Sequence, residues 1–66
     1  MKETIIYGCK EGEPDYMETV LYDGGLLLSE VQIDLIKNTA QKDGFVNFRA
    51  WIFEHGSKPD FIGAIN

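Results

Sequence analysis

The sequence predicts an α+β domain of element order ββαβ, with a small antiparallel sheet of strand order 2-1-3 and one helix packed on one face. Three observations predict it. Two short runs of β-formers precede residue 23, a sharply capped helix follows, and a ten-residue alternating strand comes after the helix. All 66 residues make one domain.

Each element can be justified in order. Residues 4–9 are rich in β-formers and read as strand 1. Residues 10–15, with Gly12, Pro14 and four charges, read as a loop. Residues 16–22 return to β-formers as strand 2, and Asp23-Gly24-Gly25 stops it. These two strands alternate too weakly to fix their register. Ser29 is a helix N-cap with Gln32 three residues on, a capping box. Leu28 and Ile33 stand at the spacing of a hydrophobic staple, and Gly44 is a natural terminator. The helix is therefore expected from about Glu30 to Asp43. At about 100° per residue, Ile33, Ile36 and Ala40 form one stripe, with Val31 and Leu35 well round from it. That wide apolar arc predicts a helix pressed deeply on the sheet; the alternative is that Val31 and Leu35 face a partner.

Strand 3 spans Phe45 to Glu54. Its even positions, Val46, Phe48, Ala50 and Ile52, are apolar and read as the core face. His55 to Asp60 reads as a turn, and Phe61 to Ile65 as a short final strand or an ordered tail. A right-handed crossover through the helix makes strand 3 parallel to strand 2. Strand 1 fills the place between them, giving the order 2-1-3.

Composition narrows the function classes. A chain this short buries only about 60% of the surface its unfolded form exposes. One cysteine and one histidine allow no internal disulfide and no closed Cys/His zinc site. No metal or cofactor is expected. The net charge is −5 and unevenly spread. Residues 1–36 carry eight acids and two bases, and residues 37–66 three acids and four bases. Nucleic-acid binding, which needs Lys and Arg against phosphates, is disfavoured, and a protein with a basic surface is the more natural partner. No apolar run approaches the ~20 residues of a membrane span. A lone thiol without a signal-peptide layout suggests the cytoplasm.

One helix covers one face of a sheet, so the other face should be polar in a plain monomer. It is not. The odd positions of strand 3 place Asn47, Arg49, Trp51 and Phe53 there, and Tyr residues of the hairpin extend the patch. Trp, Tyr and Arg are the types enriched at binding hot spots. Residues 61–65 could instead fold back over Trp51 and Phe53, or the patch could be a homodimer seam. Glu11, Glu13, Asp15 and Glu18 form an acidic cluster, either a docking patch for a basic surface or an ordinary solvated loop. It lacks the spacing of an EF-hand calcium loop.

The remaining chemistry is sparse. Cys9 reads as a buried, inert thiol, because no base or helix start near it in sequence would activate it. His55, before a Gly-Ser turn, reads as a surface residue. Gly24-Gly25 ahead of Ser29 lacks the lysine and spacing of a phosphate loop. No catalytic residue can be named, and the chain is not expected to be an enzyme.

The segments Tyr7-Gly8, Gly12 to Glu18, Lys42 to Arg49 and Gly56 to Phe61 resemble small accessory proteins of bacteriophages and mobile elements. The resemblance implies a protein that binds and inhibits a host factor in the host cytoplasm, and it assigns no site residues. The expected function is a small acidic protein-binding module. The alternatives are a homo-oligomeric accessory protein and a single-strand nucleic-acid binder using the aromatic sheet face.

Overall fold

A computed structural model of the chain describes residues 2–14 and 16–54, and the backbone of 60–64. The expectations for Asp15, His55 and the turn that follows it lie outside these residues. The described elements are β1 (Lys2–Lys10), β2 (Thr19–Tyr22), α1 (Glu30–Lys42), β3 (Phe45–Glu54) and β4 (Asp60–Ala64). They form an α+β fold with one four-stranded sheet of order β2-β1-β3-β4 and antiparallel neighbours throughout. The expected 2-1-3 order is present, and the final segment adds a fourth strand.

The helix forms where its caps place it. The Ser29 side chain accepts from the Gln32 N–H, and the Gln32 side chain accepts from the Ser29 N–H, so the capping box is complete. Leu28 packs on the core beside Ile33, as the staple requires. Gly44, at φ +89°, turns the chain out of the helix. Ile33 and Ala40 are buried and Ile36 packs against the core. Val31 and Leu35, however, are 69% and 61% exposed. The expected deep embedding is thus overturned. The helix meets the sheet along a narrow stripe, with Ile33 on the core residues Ile6 and Ala50 and Ile36 beside it.

β1 is longer than expected and β2 shorter. β1 reaches from Lys2 to Lys10 because β3 offers it a ladder along its length, from Lys2 opposite Glu54 to Lys10 opposite Phe45. β2 loses residues 16–18 to a turn closed by the Met17 N–H on the Pro14 carbonyl. It also carries a bulge. Ile6 stands opposite Tyr22 but Tyr7 opposite Val20, so Leu21 is the extra residue, and both Leu21 and Tyr22 pack on the core.

A second bulge corrects the reading of β3. Tyr7 pairs with Arg49 but Cys9 with Val46, so Asn47 and Phe48 together oppose Gly8. Asn47 takes φ +56°, a conformation that asparagine tolerates better than most side chains. The bulge shifts the alternation. Phe48, Ala50 and Ile52 keep the helix side. Val46, expected there, pairs with Cys9 on the far side, and Phe45 takes its place beside Leu35, Ile36 and Ala40.

A strap fixes how the helix arrives. Thr4 is buried at 1% exposure on β1. Its N–H donates to the Leu26 carbonyl at 2.8 Å, and its Oγ1 accepts from the Leu28 N–H at 3.0 Å. The segment between β2 and α1 is thereby tied to the central strand immediately before the N-cap.

Candidate binding face

The face opposite α1 is built by alternation along β1 and β3. Ile6 and Ala50 point to the helix, so their neighbours point away. The pairs Glu3–Phe53, Ile5–Trp51 and Tyr7–Arg49 therefore run across this face, and Val20 extends the Tyr7 pair onto β2. Trp51 and Phe53 sit with ring centroids 6.5 Å apart and planes inclined by 39°. With Tyr7 and Glu18 they line an open groove of about 380 Å³.

The polar edge of the groove is an ion pair. Arg49 Nη1 donates to Glu18 Oε1 at 2.7 Å. The Glu18 side chain is 23% exposed and the Arg49 side chain 41%. A pair so open to water contributes little to stability, below about 1 kcal/mol, but it links Arg49 to the carboxylate that lines the groove.

Arg49, Trp51 and Phe53 thus share one face, as the alternation of β3 predicts. Asn47 makes the bulge at the end of that row. The acidic cluster divides. Glu11 and Glu13 are exposed in the β1–β2 loop, whereas Glu18 leaves it for the aromatic groove. Sequence reasoning did not assign Ile5 or Val20 to the face, and reached Tyr7 only as part of a general extension. The signal for them is the register of β1, which the weak alternation of residues 4–9 does not carry. The segment ending at Ala64 does not fold back over Trp51 and Phe53 within residues 60–64. It hydrogen-bonds alongside β3 as the edge of the sheet.

Cys9 is buried and forms no disulfide. No group of three or more metal-ligating side chains exists among the described residues. No described helix is long and apolar enough to cross a membrane. No protein-family model, curated protein or solved structure matches the chain.

Proposed function

We propose that this chain is a small protein-binding module that engages its partner through the sheet face opposite α1. The observation that carries the reading is the grouping of Tyr7, Trp51 and Phe53 around an open groove with the Arg49–Glu18 pair at its rim. Aromatic anchors beside an arginine, on a face away from the helix, have the make-up of a binding hot spot. Glu3, Glu11 and Glu13, together with the −5 net charge, favour a partner whose contact surface is basic. The resemblance to phage and mobile-element accessory proteins supports a role in inhibiting a host protein, and a cytoplasmic site of action.

A single-strand nucleic-acid reading would use the same rings for stacking. It is the weaker reading, because the chain's single arginine is occupied by Glu18 and the net charge repels phosphate. The test is capture from bacterial lysate with the native chain and with a Trp51→Ala, Phe53→Ala variant of unchanged far-UV circular dichroism. One protein held by the native chain and lost by the variant is the expected outcome. Equal capture by both would refute the face. Tight binding of a labelled single strand at low salt would move the function to nucleic acid.

A further inference from the structure

We propose that the groove on the sheet face opposite α1 takes an arginine side chain of the partner protein, with the guanidinium laid over the Trp51 and Phe53 rings and hydrogen-bonded to the Glu18 carboxylate. The inference rests on the sheet-face reading and names the chemistry of what that face holds.

Charge is the first support. Tyr7, Glu18, Trp51 and Phe53 line the groove, so among the described residues its lining carries one charge, and that charge is negative. Arg49 holds the carboxylate from outside this lining, by a single contact of Nη1 with Oε1 at 2.7 Å. A carboxylate offers about four acceptor sites, so Glu18 keeps sites for a second donor. Its side chain is partly withdrawn from water, where a charge-assisted hydrogen bond gains strength. Glu3, opposite Phe53, adds another acid to the same face, and the −5 net charge draws cationic surfaces toward the chain.

Shape is the second support, and it selects arginine over lysine. Trp51 and Phe53 are alternate residues of β3, so their rings stand side by side on one strand. With centroids 6.5 Å apart and planes inclined by 39°, they make a shelf, and the groove above it is open. A guanidinium is flat and weakly hydrated, stacks on aromatic faces and presents a fork of donors to a carboxylate. A lysine ammonium is compact and strongly hydrated, and an open shelf replaces less of its water than an enclosing cage of rings would.

Trp51 is the chain's single tryptophan, so its fluorescence reports on this groove. The probe is an acetylated, amidated tripeptide with arginine between two glycines, titrated into the intact chain at low salt beside its lysine and citrulline counterparts. Citrulline keeps the length and the planar head and lacks the charge. The arginine peptide should change the Trp51 emission saturably, the lysine peptide more weakly, and the citrulline peptide not at all. Among variants of unchanged far-UV circular dichroism, Glu18→Gln should raise the dissociation constant about tenfold. Arg49→Gln should lower it, because a competitor for the carboxylate is gone. Glu13→Gln removes the same charge from the β1–β2 loop and should leave it within about twofold. No saturable response to the arginine peptide, an equal response to lysine or citrulline, an equal loss in Glu13→Gln, or a loss in Arg49→Gln would overturn the inference. The sheet-face reading would outlast any of these if lysate capture is still lost in the Trp51→Ala, Phe53→Ala variant, and would fall as well if capture is indifferent to it.

Discussion

Thr4 carries more of this fold than its residue type suggests. It reads as an ordinary β-former in strand 1, but its hydroxyl is the acceptor that holds the Leu28 N–H and so fixes where α1 begins. Thr4→Val keeps the shape and the strand propensity and removes only that acceptor. The expected cost is about 1–3 kcal/mol, measured as a lower urea midpoint, because the Leu28 N–H loses its partner in a half-buried position. An unchanged midpoint would show that water replaces the hydroxyl. Nothing in the sequence points to this contact, since the two residues lie 24 positions apart and neither makes a motif. Arg49, Trp51 and Phe53 were legible because a period of two is a local signal. Glu18 was legible as an acid but not as the partner of Arg49, 31 positions away.

Among the elements, α1 was read almost to the residue, since caps, staple and terminator are all written within a few positions of each end. β3 was read correctly from Phe48 onward and incorrectly before it. The apolar residues at 46, 48, 50 and 52 mimic an unbroken alternation, and the bulge at Asn47 breaks it without changing the pattern of letters. The bulge is testable by comparing two variants that both lack the asparagine side chain. At φ +56°, Asn47→Ala should be less stable than Asn47→Gly by about 1 kcal/mol in thermal or urea unfolding. Equal stabilities would mean that the backbone at 47 relaxes to an ordinary strand. In that case Val46 would return to the helix side and Phe45 would leave its groove.

At the scale of the molecule, the two apolar surfaces lie on opposite sides of one sheet, with the Trp51–Phe53 groove on one side and the Val31–Leu35 ridge on the other. The topology also bears on how the fold is reached. β1, the first strand in the chain, lies between β2 and β3, and its longer ladder is to β3. During synthesis the β1–β2 hairpin emerges early but is marginal alone in water, as isolated hairpins are. The sheet gains its central pairing only when residues 45–54 are available. Folding is thus delayed to the last third of the chain, and its rate is governed by closing a loop of more than thirty residues between Lys10 and Phe45. A chain cut after Gly44 keeps the hairpin and the whole helix, yet its circular dichroism should be that of an unfolded polypeptide, because the first strand has lost its longer ladder, to β3.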